Sequence, residues 1–282
     1  MAISAKIVME LRKKTQVGMM ECKKALAEAN GDMELAEEIL LKSGAAKAEK
    51  KSDRVANEGL LFVSQANDNS AVAVVEINCE TDFVARSDDF QSFGNKLAEL
   101  ALKHNSQNID SLLELSYTDS QTVAEMRAVM VAKLGENIQL RRAYTLQAET
   151  GCVACYSHGG RVVTLVNVSS DKIEAAKDIA MHIAAMKPSA ISAAGIPDTV
   201  IAKEREIFTA QVAESGKPEH IAAKIIEGKV NKFMDENSLL GQAFVKEPKQ
   251  KVGDFLKQHS IEVLAFTLYE IGMSGNDGAI TV

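Results

Sequence analysis

An α+β chain, with largely antiparallel sheets and helices on one face, is expected from three features of the sequence. Residues 3–43 hold three short runs with apolar residues at helical spacing. From residue 59 onward the order strand, strand, helix, helix, strand occurs twice. The tetrapeptides Ala-Tyr-Thr-Leu (143–146) and Ala-Phe-Thr-Leu (265–268) occupy matching places in the two copies. A helical insertion, roughly 191–239, interrupts the second copy. Hairpins followed by helices bury their sheets on one side, which is the α+β plan.

In the first segment, apolar residues fall at Ile3, Ile7, Val8 and Leu11, then at Met19, Met20, Cys22 and Leu26, then at Met33, Leu35, Ala36, Ile39 and Leu40. Asn-Gly-Asp at 30–32 reads as a helix stop followed by an Asp N-cap, and Ser43-Gly44 as the end of the third helix. Three short helices bury only a small core, so this module suits binding better than catalysis. In the linker 42–59, Lys42, Lys47, Lys50, Lys51 and Arg54 outnumber Glu49, Asp53 and Glu58. It reads as a solvated linker helix, with a basic contact to an acidic partner as the alternative.

The first copy opens with the hairpin 59–65 and 70–78 around Ala-Asn-Asp-Asn, then a helix over 88–104. The second opens with 151–157 and 161–168 around His-Gly-Gly, then a helix over 170–187. Each closes on a helix that leads into a strand, 126–136 into 137–146 and 252–259 into 260–270. Within the insertion, residues 198–214 and 219–237 form an antiparallel helical hairpin joined at Ser-Gly-Lys-Pro (215–218). Ala222, Ile226, Val230 and Phe233 form one stripe there, with Ile207, Phe208 and Val212 placed to face it.

Composition narrows the function classes. The chain has 282 residues, about two domains' worth. It lacks Trp and is only 5% aromatic, so its cores rest on Ala, Val, Leu, Ile and Met. A net charge of -7 argues against broad nucleic-acid binding, and no direct nucleic-acid partner is expected. No apolar run is long enough to span a bilayer, the N-terminus has no signal-peptide pattern, and the four cysteines are few. A cytoplasmic protein with reduced thiols, off the membrane, is expected.

Chemistry-bearing motifs are sparse. There is no phosphate-binding loop and no dinucleotide fingerprint. Cys152 and Cys155 would lie on opposite faces of a strand, and no second ligand pair stands at zinc spacing, so no metal or cofactor is expected. His182 sits in an apolar helix as a core or boundary histidine, whereas His158 lies at a hairpin tip, where recognition residues are often placed. The run Asn-Cys-Glu-Thr-Asp-Phe-Val-Ala-Arg (78–86) leaves a buried strand for a carboxylate and an aromatic. Either Phe83 folds back into the core with Asp82 capping the next helix, or the loop projects and Phe83 enters a partner's crevice.

Taken together, residues 11–26, 78–86, Leu-Gly-Glu-Asn-Ile-Gln-Leu-Arg-Arg (134–142), 156–162, 181–188, 215–218 and 242–248 resemble the bacterial translation elongation factor Ts family, from about residue 3 to 272. The resemblance implies a guanine-nucleotide exchange factor, not an enzyme. Its partner would be elongation factor Tu, in the GDP-bound and nucleotide-free forms. It further implies that Thr81, Asp82, Phe83 and Val84 dislocate the partner's Mg²⁺, and that Arg12, Met19, Met20 and His158 contact the partner. It implies a ubiquitin-associated-like helical module with its linker helix (1–55) and two core subdomains (56–148; 149–190 with 240–274). It also implies a dimerisation hairpin (191–239), supporting a homodimer or 2:2 complex, and leaves a short tail (275–282). Family members commonly end in a further helix, which the Gly-rich segment from 270 is not expected to form. Two rivals stand beside this reading: an adaptor without exchange activity, and a thiol-dependent enzyme around Cys79 or Cys152.

Overall fold

The computed structural model describes residues 3–213 and 218–272 and the backbone of 279–281. The expected turn at 215–218 lies outside these residues except for Pro218, as do residues 275–278 and 282 of the tail. The chain forms two compact units, Met1–Ser64 with Ala73–Thr145, and Gln65–Val72 with Leu146–Val282. The architecture is mixed, with small sheets and an N-terminal run of helices.

The first unit begins with α1 (Ala5–Thr15), α2 (Met19–Glu28) and α3 (Met33–Glu49). Asn30 and Gly31 turn the chain at positive φ, and the Asp32 carboxylate caps α3 by accepting from the Glu34 and Leu35 amides at 2.9 and 3.0 Å. Val8, Leu11, Cys22, Ala25, Leu26, Ala36 and Leu40 close a small apolar core between these helices. One expectation is corrected: Ser43-Gly44 does not end the third helix, which runs on to Glu49. Gly44 is buried against α7 (Val123–Leu134), where a Cβ would stand 3.6 Å from the Ala128 carbonyl oxygen. A glycine inside a helix weakens it by about 1 kcal/mol relative to alanine, but here it permits close helix–helix approach.

The sheet of this unit has the order β1 (Glu58–Gln65), β2 (Ala71–Cys79), β5 (Gln139–Gln147). Every residue of the central strand β2 is buried. Its alternate positions Ala73, Val75, Ile77 and Cys79 join Phe90, Phe93, Leu97 and Ala101 of α5 (Asp88–Lys103) and Met126 and Met130 of α7 in one core. Glu76, of the opposite parity, is buried too, and accepts from Arg142 Nε on β5 at 2.5 Å. Between α5 and α7 lie α6 (Ile109–Leu113) and the small hairpin β3 (Ser116–Thr118) with β4 (Gln121–Thr122), elements the sequence reading lacks. The one-turn helix α4 (Asp82–Ala85) joins β2 to α5.

The second unit repeats the plan. Strands β6 (Cys152–His158), β7 (Val162–Val168) and β10 (Val263–Glu270) are antiparallel neighbours, with Ala154 opposite Val166 and Phe266 opposite Val166. As in the first unit, the second strand of the hairpin is central and the strand after the helices lies beside it. The backbone of β11 (Ala279–Thr281) adds a fourth strand on β10, so part of the expected tail is strand. Helices α8 (Ile173–Met186) and α11 (Val252–Gln258) cover Cys152, Ala154, Val166 and Val168. The insertion supplies α9 (Asp198–Ala213) and α10 (Glu219–Asn237), with Val212 and Val230 buried and Ala222, Ile226, Phe208 and Phe233 half-buried. The strands β8 (Ala243–Phe244) and β9 (Glu247–Lys251) follow, again unanticipated.

The duplication reaches single residues. Gly59 and Gly151 each open the first hairpin of a unit at positive φ, +143° and +70°. A Cβ would lie 2.2 Å from the Ile77 oxygen at the first and 2.0 Å from the Val168 oxygen at the second. Both approaches exclude any side chain.

Candidate functional site

The strand β2 ends at Cys79, and the next residues turn into α4. Thr81 is the N-cap of α4, its hydroxyl accepting from the Val84 amide at 3.4 Å. Ser87 caps α5 by accepting from the Phe90 amide. So neither helix is capped by Asp82, which is the first residue of α4 and pairs with Arg86 one turn on at 3.0 Å. Phe83 is 84% exposed, while Val84 and Ala85 turn toward the core. The reading in which Phe83 folds back as core is therefore removed. A largely exposed phenylalanine next to a carboxylate, on a one-turn helix, presents an apolar ring that a partner's crevice can accept.

The tip is held from behind. Glu136, in the loop after α7, accepts three hydrogen bonds: from the Thr81 hydroxyl at 2.6 Å and from the Glu80 and Thr81 amides at 3.0 Å each. Glu80 answers by accepting from the Asn137 amide at 2.7 Å. The Asn137 side chain donates to the carbonyls of Ser52 and Arg54 at 3.1 and 2.8 Å, and the Lys51 ammonium donates to the Gly135 carbonyl. Arg54 lies 3.5 Å from Glu80. Sequence reasoning missed Glu136, Glu80 and Asn137 as a group. The only signal was the segment 134–142 itself, which gave no partner for its carboxylate.

These contacts also place the basic linker. Lys42 pairs with Glu38 at 2.6 Å, Lys47 with Glu21, and Lys51 and Arg54 reach the loop just described. Its cations are largely engaged within their own unit.

In the N-terminal helices Arg12 is exposed on α1, and Met19 and Met20 open α2 with 46% and 76% exposure. Of the apolar residues at helical spacing in this segment of α2, Cys22 and Leu26 are buried, whereas the two methionines are exposed. In the second unit His158 is the exposed last residue of β6, before a tight turn through Gly159 and Gly160, both at positive φ, a type I′ geometry. Tyr156 stacks beside it, ring centroids 6.5 Å apart. Thr81–Val84 and the N-terminal residues belong to the first unit and His158 to the second.

The thiols are poorly set for chemistry. Burial and the neighbouring Glu136 charge push Cys79 up to about 12. Burial pushes Cys155 to about 12 and raises Cys22 and Cys152 as well. A nucleophile must be a thiolate, which these environments disfavour. Cys152 is buried and Cys155 partly buried. His182 is buried, with Nδ1 accepting from the Val245 amide at 3.2 Å and Nε2 2.9 Å from Gln242 Oε1. This pattern assigns a neutral ring protonated at Nε2, a core histidine. Among the described residues no group of three or more His, Cys, Asp or Glu could hold a metal ion. Nor is any described helix long and apolar enough to cross a membrane.

Comparison with known proteins agrees with the sequence resemblance. Residues 80–273 match the family model described as elongation factor TS. The chain is 47% identical over 270 residues to elongation factor Ts of Legionella pneumophila (strain Lens), covering 96% of this chain and 92% of that one. To elongation factor Ts of Methylococcus capsulatus it is 47% identical over 272 residues, covering 96% and 93%. To that of Thioalkalivibrio sulfidiphilus it is 46% identical over 273 residues, again 96% and 93%. Identity at this level along nearly the whole of both chains means that this chain belongs to the elongation factor Ts family.

Proposed function

We propose that this protein is a guanine-nucleotide exchange factor that binds elongation factor Tu in its GDP-bound form, displaces Mg²⁺ and speeds GDP release. The observation that carries the reading is the exposure of Phe83, 84% open to solvent beside Asp82 on a fixed one-turn helix. A GTPase holds GDP through backbone amides and a Mg²⁺ that offsets the phosphate charge. Intrusion of an aromatic wedge and a carboxylate near that metal leaves phosphate charge uncompensated, and GDP departs faster. This chain then needs no nucleotide site of its own and catalyses no covalent step.

The thermodynamics require only differential binding. The factor must prefer the nucleotide-free GTPase, and by linkage factor and GDP then weaken each other equally. Each ~1.4 kcal/mol of coupling is about tenfold in affinity. A desolvated aromatic anchor commonly contributes about 2 kcal/mol or more, so Phe83 can supply a decade or more of the effect. Arg12, Met19 and Met20 are proposed to dock the N-terminal helices, and His158 to make a second contact. The helical hairpin, whose Ile207 and Ile221 are exposed, is proposed to meet a second copy in a homodimer or 2:2 complex.

Stopped-flow release of fluorescent GDP from elongation factor Tu tests the reading. Phe83→Ala is expected to slow release about tenfold or more. A variant as fast as the parent would overturn the wedge. Binding of the parent chain without faster GDP release would make it an adaptor.

A further inference from the structure

We infer that Glu136 is a positioning residue for the Asp82–Phe83 tip, an inference that rests on the exchange reading above. The helix α4 is a single turn, Asp82–Ala85. Helices this short do not hold themselves in water, because nucleation costs more than one turn of hydrogen bonds returns. Phe83 cannot anchor the turn either, since its ring faces solvent. Val84 and Ala85 pack the inner side of the turn against the core, so the polar support that fixes the entry to α4 must come from outside it.

Glu136 supplies it. Two of its three hydrogen bonds fix the backbone amides of Glu80 and Thr81, and the third fixes the hydroxyl that caps α4. Bonds to an ionised carboxylate are shorter and stronger than neutral ones. The return bond from the Asn137 amide to Glu80 locks the two loops face to face. Because the same loop grips Lys51, Ser52 and Arg54 just after α3, the N-terminal helices and the tip share one support. A tip already ordered in the free protein pays less ordering entropy when it enters the partner. Glu136 itself touches neither metal nor nucleotide in this account. It acts through Thr81.

The test is GDP release from elongation factor Tu at rising factor concentration, separating the maximal rate from the half-saturating concentration, with folding checked by urea melts. Glu136→Ala is expected to lower the maximal rate about tenfold, with half-saturation changed by less than about threefold. Glu136→Gln, whose amide oxygen can still accept from both backbone amides, is expected to stay within about threefold of the parent. If Glu136→Ala does not fold, Glu136→Asp decides: its carboxylate is withdrawn by one methylene, and about fivefold slowing at unchanged half-saturation is expected. Slowing by Phe83→Ala without slowing by a folded Glu136 variant overturns the positioning role and leaves the exchange reading intact. A raised half-saturation with an unchanged maximal rate also overturns it, by making Glu136 a docking residue. No slowing by Phe83→Ala overturns the exchange reading and this inference with it.

Discussion

Phe83 on α4 and Phe90 in the first turn of α5 are close in sequence and opposite in environment. Phe83 is 84% exposed, whereas Phe90 is fully buried, its ring centroid 5.8 Å from that of Phe62. The first ring is expected to contribute little to stability and the second a great deal. Phe90→Ala is expected to cost about 3–5 kcal/mol by loss of burial and creation of a cavity. Phe83→Ala should lie within about 0.5 kcal/mol of the parent, as for ordinary surface changes. Urea denaturation of the two variants measures the contrast. A large loss in Phe83→Ala would mean that its exchange defect reports unfolding.

The buried thiols give a second test. The chain has four free cysteines, three of them buried, and burial raises the pKa of each. The native protein is expected to react with a disulfide reagent at pH 8 far more slowly than it does in guanidinium, where all four become available. Replacing all four with Ala should leave GDP release unchanged if the variant folds. One thiol reacting as fast natively as in denaturant would revive the thiol-dependent alternative.

Much of the fold was legible because it was written in local pattern. The apolar run at 71–77 and the paired tetrapeptides on β5 and β10 located both sheets. Ser43-Gly44 misled because a glycine may end a helix or admit a neighbour, and only the contact with Ala128 distinguishes them. The hairpins β3–β4 and β8–β9 are too short and polar to show alternation. The role of Glu136 could not be read from local pattern, since its partners Glu80 and Thr81 are 56 and 55 residues away. The exposure of Phe83 was equally closed to local reasoning, because an aromatic beside an N-cap fits a core as well as a surface. The family resemblance, not the residue spacing, pointed outward.

Three glycines should respond to alanine with opposite signs. At Gly59 and Gly151 a Cβ would sit 2.2 and 2.0 Å from a carbonyl oxygen, and both have positive φ. Alanine there forces the backbone to move and is expected to destabilise by more than about 1 kcal/mol at each site. Gly228 in α10 has nothing within 4 Å of its virtual Cβ. Gly228→Ala should stabilise the helix by up to about 1 kcal/mol. Thermal melts of the three variants check the signs. Equal tolerance at Gly59 and Gly228 would contradict the close approach at the start of β1.

His182 should make stability depend on pH below neutrality. Burial lowers its pKa from the ordinary 6.5, partly opposed by Gln242. The ring is therefore neutral in the folded state over a range where the unfolded chain already binds a proton. Stability rises with pH wherever the unfolded state holds more protons. The contribution is thus complete above about pH 6.5 and lost as pH falls toward the lowered folded value. The slope between those limits is at most about 1.4 kcal/mol per pH unit for one proton. The mechanism is visible in the contacts: a proton added at Nδ1 would face the Val245 N–H that now donates to it. Urea melts between pH 7.5 and 5 should show the decline in the parent chain and a shallower one in a folded His182→Gln variant. Identical slopes in the two proteins would place the titrating group elsewhere and leave His182 as packing alone.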